Sequence, residues 1–286
     1  MMPPILVAGL FPQITAHLLD LLRSLALEEW RLPTVSSRRT VKDIASHLLD
    51  GSLRRLSMQR DGYRPSDGCS LPRAGEPLLD FLNRLNDEWE VGTRRLSPHV
   101  LIQLIEWADS QLAELFASLD PEAQAIFPVG WAGEEQSKNW MDFARDYTEK
   151  WHHTQQIFEA TGRASTIMTR ELGHPCFDIF MRALPFTFRN VDAEVGSIVL
   201  LKITGDAGGS WFIQRQSGGW EQMDRVNGLK PSERPTAIVT MDQDTAWKLV
   251  TKRRNRDVAR HQFSNLQIEG DVRIGSHVFD MVSVMA

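Results

Sequence analysis

The feature that most constrains the fold is a change in hydrophobic spacing about 160 residues into the chain. Before that point, apolar residues recur every three or four positions, the spacing that lines one side of an α-helix. After it, short segments rich in β-branched and aromatic residues stand between glycine-containing turns, as strands do. A length of 286 residues also fits two domains better than one. We therefore predict an all-α part at 10–163 and a smaller α+β part at 164–286.

Capping residues mark where helices of the first part begin and end. Thr40 precedes an apolar stripe and can accept a hydrogen bond from the Asp43 amide, so a helix should begin there. Ser97, followed by a proline, marks another start. Gly162 is well placed to end the last helix. The helices expected in this part span about 14–30, 40–61, 77–96, 98–119 and 139–160.

The second part contains a predicted hairpin. Segments 197–204 and 209–215 have strand composition, and the four residues between them include two glycines, as a hairpin turn would. The other elements expected here are a helix at 169–184, a strand at 236–241, a helix beginning at Gln243, and a segment at 266–271 that precedes a closing amphipathic stretch.

Composition excludes several classes of protein. The chain has 32 Lys and Arg against 37 Asp and Glu, a net charge of −5, which argues against a dedicated nucleic-acid binder. Cys69 and Cys176 are the two cysteines and form no C-x-x-C pair, so we expect neither a disulfide framework nor a thiolate zinc site. No apolar run approaches the roughly 20 residues of a membrane span, and the N-terminus lacks a basic leader region. We expect a cytoplasmic protein and leave its oligomeric state open.

Three side chains form a candidate metal site. Glu149 and His153 are four residues apart on a predicted helix, so both point to one face and can bind one divalent ion. By itself such a pair is more often a solvated helix contact. His47 borders the apolar stripe of the second helix, where a histidine needs a partner, although a carbonyl or carboxylate would serve. Helix bundles do build metal sites from inward-facing residues of separate helices.

These residues carry a resemblance to a known family. The opening from Leu21 to Asp50 and the later stretch from Glu149 to Ile157 resemble the DinB-like superfamily, particularly its mycothiol-dependent maleylpyruvate isomerase branch. The resemblance covers about 10–160 and implies a four-helix bundle with a metal site. Matching positions implies that the ligands are His47, Glu149 and His153, because the second of the two adjacent histidines is the ligand. Its spacing from Glu149 agrees, since His152 offers a less symmetric alternative.

The second part resembles the sterol-carrier-like α+β domain that follows the bundle in this branch. Trp211, Trp220 and the segments 244–249 and 268–271 carry this likeness. It implies that Arg253 lies near a site at the domain junction, although a basic run after a helix is more often a solvated helix end.

Arg84 is a second arginine to which we assign a catalytic role. An arginine can bind a substrate carboxylate through two parallel hydrogen bonds, although most arginines in such positions face solvent. Arg84 and Arg253 are therefore the catalytic candidates outside the metal ligands.

Two histidines and one glutamate leave an open position on a divalent ion, as in catalytic zinc sites. Zinc suits the set best, and nickel, iron or manganese also bind such ligands. The resemblance implies that a low-molecular-weight thiol such as mycothiol adds to a small electrophile and is then expelled or retained. We expect a metal-dependent, thiol-using isomerase or S-transferase whose partners are that thiol and substrate, with neither nucleic acid nor membrane. A non-catalytic protein that binds metal or an apolar ligand, and a metal-dependent hydrolase, remain alternatives.

Overall fold

The computed structural model confirms the α plus α+β architecture. It describes residues 2–35, 38–63, 72–224, 234–251 and 266–283. Its contacts divide the chain into two compact units. The helical unit comprises Val7–Ile126 and Glu149–Ile167, and the mixed unit comprises Met1–Leu6, Phe127–Thr148 and Met168–Ala286. The division falls inside the last long helix, and the domain boundary at residue 163 stays a prediction.

Four long helices form the bundle of the helical unit, and a fifth lies beside it. The helices are α1 (Phe11–Arg23), α2 (Val41–Arg55), α3 (Leu78–Thr93), α4 (Pro98–Ser118) and α5 (Asn139–Ala160). The bundle consists of α1, α2, α4 and the second half of α5, which is the part of α5 that belongs to the helical unit. Helix α3 is held against α2 because the Trp89 indole N–H donates to the Ser46 carbonyl at 2.9 Å. None of the helices that the structure describes is both long and apolar enough to cross a membrane.

Most predicted helix boundaries are confirmed. The Thr40 hydroxyl accepts from the Asp43 amide at 3.3 Å, and the Asp43 carboxylate accepts from the Thr40 amide at 2.9 Å, which is a complete capping box at the start of α2. At the start of α4, the Ser97 hydroxyl accepts from the Val100 amide at 3.3 Å. Helix α5 spans the predicted residues, and Gly162 follows it with a φ of 65°, a left-handed conformation that glycine adopts without strain.

The end of the first helix was predicted wrongly. Helix α1 stops at Arg23 rather than near Trp30. The Ser24 hydroxyl donates to the Leu21 carbonyl at 2.7 Å, and the Ser24 amide donates to the same carbonyl at 3.1 Å, so the last turn of the helix closes on this residue. Trp30 belongs to a separate 3₁₀ turn, Glu29–Arg31, and is buried there. Its apolar side chain therefore continued the spacing pattern without continuing the helix.

A buried carboxylate joins the four helices of the bundle. Asp109 of α4 is 3% exposed and accepts hydrogen bonds from Thr15 of α1 at 3.1 Å and from Ser52 of α2 at 2.6 Å. It also forms an ion pair with Lys150 of α5, which is equally buried. One side chain of α4 thus has a partner on each of the other three helices.

The mixed unit contains a five-stranded sheet in the order β3-β2-β1-β4-β5. Strands β1 and β4 are parallel, and the other neighbours are antiparallel. The strands are β1 (Ile198–Thr204), β2 (Gly209–Gln216), β3 (Gly219–Met223), β4 (Ala237–Asp242) and β5 (Gln267–Gly270). The helices are α6 (His174–Phe180), α7 (Leu184–Phe188), α8 (Gln243–Val250) and α9 (Val272–Gly275).

The hairpin of β1 and β2 is confirmed, whereas two details of the mixed unit differ from expectation. The helix predicted at 169–184 is broken, because Pro175 fits only the first turn of a helix and α6 therefore begins at His174. Strand β3 was not predicted; it is short, and Trp220 is its one buried residue. The likeness of this unit to sterol carrier protein stays a prediction.

The buried ion pair predicts a large effect of a small substitution. We expect Asp109→Asn to lower the free energy of unfolding by about 3 kcal/mol or more, because Lys150 would keep its charge without a partner in the core. Glu106→Gln is the matched control on the same helix, since its pair with Arg23 is about half exposed and should contribute less than about 1 kcal/mol.

Urea unfolding of the variants measures both effects. The double variant Asp109→Leu/Lys150→Met removes both charges and should recover part of the loss. Equal stabilities of Asp109→Asn and Glu106→Gln would contradict the role of the buried pair.

A second ion pair, between Glu29 and Arg163, makes the stability of the fold depend on pH. Arg163 donates to both carboxylate oxygens of Glu29, at 2.6 and 3.0 Å, and with the Ala26 amide lowers the pKa of Glu29 from 4.5 to about 2. A lowered pKa stabilises the folded state above about pH 4.5, and this stabilisation is lost as the pH falls toward 2. Arg163→Gln should therefore be less stable than wild type at pH 6, with the difference shrinking between pH 4.5 and 3. A constant difference across that range would contradict the assignment; unfolding curves at each pH provide the measurement.

Candidate metal centre

Two helices of the bundle bring the three predicted ligands together. His47 lies on α2, and Glu149 and His153 lie one turn apart on α5. One ligand atom from each residue lies within 4.8 Å of the other two. The His47 and His153 rings meet edge to face, with centroids 4.7 Å apart. Helix spacing places the α5 pair on one face, and packing of α2 against it supplies the third ligand.

The cluster is buried on one side and open on the other. His153 is 8% exposed, whereas the Glu149 side chain keeps 30% of its surface in solvent. The closest approach between the two is 3.4 Å, from His153 Nε2 to Glu149 Oε2. Two imidazoles and one carboxylate with an open side are the donor set of a catalytic rather than a structural zinc site.

The state of His47 fits a ligand role. Its Nδ1 atom is buried and has no hydrogen-bond partner among the residues that the structure describes. A buried nitrogen of this kind costs free energy unless another group bonds to it. Burial lowers the pKa of His47 well below its usual value, and repulsion from His153, Arg39 and Arg54 lowers this pKa further. A neutral imidazole is the form that binds metal, so the three residues fit a divalent ion.

The arginines near His47 are themselves paired. Arg39 Nε lies 2.5 Å from Glu90 Oε1, and Arg54 lies 2.9 Å from Asp50, one helical turn earlier on α2. Burial raises the pKa of Asp50, and Arg54 opposes that rise. The positive charges around this histidine are therefore balanced within the helical unit.

A glutamine that the sequence analysis missed lies between the two adjacent histidines. Gln156 Oε1 is 2.8 Å from His153 Nδ1, and Gln156 Nε2 is 3.1 Å from His152 Nε2. All three side chains are buried. The signal was present in the sequence, because residues three and four apart are neighbours on a helix and Gln156 has both spacings to the histidines.

The two predicted catalytic arginines are not both described. Arg84 of α3 donates from Nε and Nη2 to the two carboxylate oxygens of Glu76, at 3.0 Å each, which raises the pKa of Arg84 and lowers the pKa of Glu76 to about 2. Glu76 thus holds the paired contact that a substrate carboxylate would make. The catalytic role of Arg84 stays a prediction, and Arg253 lies outside the described residues.

Solved structures share this fold at low sequence identity. The crystal structure of the mycothiol-dependent maleylpyruvate isomerase matches with a TM-score of 0.54 and 11% identity, over 93% of this chain and 92% of its own. A histidine-to-alanine mutant of that enzyme matches with a TM-score of 0.52 and 10% identity, over 86% and 88%. Identities this low show a common fold alone. Among curated proteins, none matches the chain by sequence.

A match to a family model shows which family the chain belongs to. The model of the mycothiol maleylpyruvate isomerase N-terminal domain matches residues 11–158, a range that contains α1 to α4, most of α5 and all three candidate ligands. It confirms the resemblance seen in the sequence. Because the match covers just over half of the chain, this protein belongs to the mycothiol maleylpyruvate isomerase N-terminal domain family.

Proposed function

We propose that this protein is a divalent-metal-dependent isomerase or S-transferase that uses a low-molecular-weight thiol. The observation that carries the proposal is the convergence of ligand atoms from His47, Glu149 and His153 within 4.8 Å. Family membership supports the use of a thiol, and mycothiol is the first candidate because the family and the matching structures are named for it. A fold alone does not imply an activity, so the site has to carry the argument.

These three residues would hold the metal, with zinc as the first choice for a His₂Glu donor set and nickel, iron or manganese as alternatives. A bound divalent ion lowers the pKa of a thiol that reaches it and so supplies a strong nucleophile at neutral pH. Cys176, the free cysteine among the described residues, does not serve as that nucleophile, because burial raises its pKa well above the usual value.

With a divalent ion bound, the net charge of the site would favour anions. His47 and His153 contribute no charge when neutral, and Glu149 contributes one negative charge, so the site with its divalent ion keeps one net positive charge. A thiolate is therefore favoured over a thiol, and an acidic electrophile over a cationic one. The partly exposed side chain of Glu149 marks the side from which both can enter.

The proposed reaction conserves atoms in either outcome. The thiolate forms a C–S bond to an unsaturated carbon, and the electrons of the double bond move to the conjugated carbonyl group. Rotation about the resulting single bond, followed by loss of the thiolate, gives the geometric isomer and regenerates the thiolate. If a proton instead reaches the adjacent carbon, the thiol is retained and the product is a thioether. The first outcome is isomerisation and the second is S-transfer.

Thiol dependence tests the reaction. The zinc-loaded protein should isomerise maleylpyruvate, or another conjugated cis-unsaturated acid, with mycothiol present and not without it. His153→Ala should lower kcat/KM at least about 100-fold, because it removes a proposed ligand. His17→Ala is a control, since this histidine bonds Thr166 at 2.8 Å and is not part of the cluster. Product geometry is followed by proton NMR. Equal isomerisation without thiol would contradict the proposal, and cleavage of the substrate without thiol would favour the hydrolase.

Metal content tests the site independently of the reaction. Elemental analysis of the purified protein, dialysed against zinc, should give about one metal ion per chain for wild type and for His17→Ala. His47→Ala and His153→Ala should each lose most of it, because a single imidazole with a carboxylate holds zinc poorly. Unchanged metal content in both variants would show that the ion binds elsewhere in the chain.

A further inference from the structure

The hydrogen bonds of Gln156 determine which nitrogen of His153 is free. An amide oxygen only accepts, so the 2.8 Å contact between Gln156 Oε1 and His153 Nδ1 requires a proton on that nitrogen. In a neutral imidazole, the proton on Nδ1 leaves a lone pair on Nε2. This Nε2 atom is the one that lies 3.4 Å from Glu149 Oε2. The free lone pair of His153 therefore points into the ligand cluster.

The same amide has the opposite effect on the neighbouring histidine. The amide nitrogen of Gln156 only donates, so its 3.1 Å contact makes His152 Nε2 an acceptor and occupies the lone pair of that atom. Both histidines are buried, and both bond one side chain. A single glutamine thus exposes the lone pair of His153 toward the cluster and occupies the Nε2 lone pair of His152.

The arrangement also creates a demand for a cation. With the proton of His153 on Nδ1, its Nε2 lone pair faces a carboxylate oxygen of Glu149, and two acceptors at that distance repel each other. The opposite tautomer would donate from Nε2 to Glu149 and satisfy the pair without a metal. By accepting a hydrogen bond from Nδ1–H, Gln156 favours the tautomer that is satisfied when a positive ion lies between His153 and Glu149.

We propose that Gln156 is a positioning residue that makes His153, rather than His152, the metal ligand by holding His153 in its Nδ1-protonated tautomer. The inference rests on the metal site of the proposed function. It adds a residue that does not touch the metal, and it explains by hydrogen bonding why one of two adjacent histidines ligates.

Three variants separate this role from a general packing effect. Gln156→Leu removes both hydrogen bonds at similar volume. Gln156→Glu keeps an acceptor for His153 and loses the donor to His152. Gln155→Leu is the matched control, because Gln155 is its buried neighbour on α5 and its amide nitrogen has no hydrogen-bond partner among the described residues. Circular dichroism checks that each variant folds.

The first readout is the tautomer in metal-free protein. Long-range ¹H–¹⁵N spectra of ¹⁵N-histidine-labelled protein at about pH 8.5 distinguish the two nitrogens, because this pH is about two units above the ordinary histidine pKa. We expect His153 to be protonated at Nδ1 in wild type, Gln155→Leu and Gln156→Glu. In Gln156→Leu the proton should move wholly or partly to Nε2. Protonation at Nε2 in wild type, or an unchanged pattern in Gln156→Leu, would overturn the proposal.

The second readout is zinc affinity, measured by competition with a chromophoric chelator. Gln156→Leu should raise the zinc dissociation constant about 10- to 100-fold, while Gln155→Leu should stay within about twofold of wild type. Equal dissociation constants for the two leucine variants would overturn the positioning role. If wild type binds neither zinc nor nickel, iron or manganese, the proposed function fails, and the tautomer experiment still decides whether Gln156 sets the protonated nitrogen of His153. If Gln156→Leu does not fold, protonation of His153 at Nε2 in wild type or in Gln156→Glu would still overturn the proposal.

Discussion

The bundle depends on one buried carboxylate. Asp109 of α4 bonds Thr15 of α1, Ser52 of α2 and Lys150 of α5. A buried ion pair of this kind stabilises the fold little more than apolar residues would, but loss of one partner leaves an unpaired charge in the core. The pair therefore specifies how the helices are arranged more than it adds to their stability. Lys150 follows Glu149 directly, and Ser52 is five residues from His47. The contacts that fix α2 and α5 against α4 therefore also fix the position of the candidate ligands.

Two of the buried polar clusters that the structure describes in the helical unit differ in how well their groups are paired. Around Asp109, each carboxylate oxygen has donors from neighbouring helices. In the ligand cluster, His47 Nδ1 lacks a partner among the described residues, and His153 Nε2 faces a carboxylate. Departures from full pairing in an otherwise consistent fold are expected at functional sites, where a ligand completes the set. The contrast supports the proposal that the second cluster binds a cation.

Fold similarity and site geometry support different statements about this protein. Two solved structures with about one identical residue in ten have the same fold as this chain, and this similarity concerns the backbone alone. The same fold can serve unrelated chemistries, so it does not by itself specify a reaction. The proposed activity depends on His47, Glu149 and His153, and the choice between adjacent histidines depends on Gln156.

The sequence by itself determined what depends on near neighbours along the chain. The capping box at Thr40, the extent of α5, the shared face of Glu149 and His153, and the hairpin of β1 and β2 follow from spacings of two to four residues and from turn chemistry. Even the Gln156 contacts have helix-neighbour spacing, although only the structure shows which atom of the amide faces which ring.

The tertiary structure decided what joins distant residues. Contacts between α2 and α5, the partners of Asp109 and the parallel pairing of β1 with β4 depend on how whole elements pack. No local spacing records such contacts, because their free energy comes from burial and pairing between segments that are tens of residues apart in the chain.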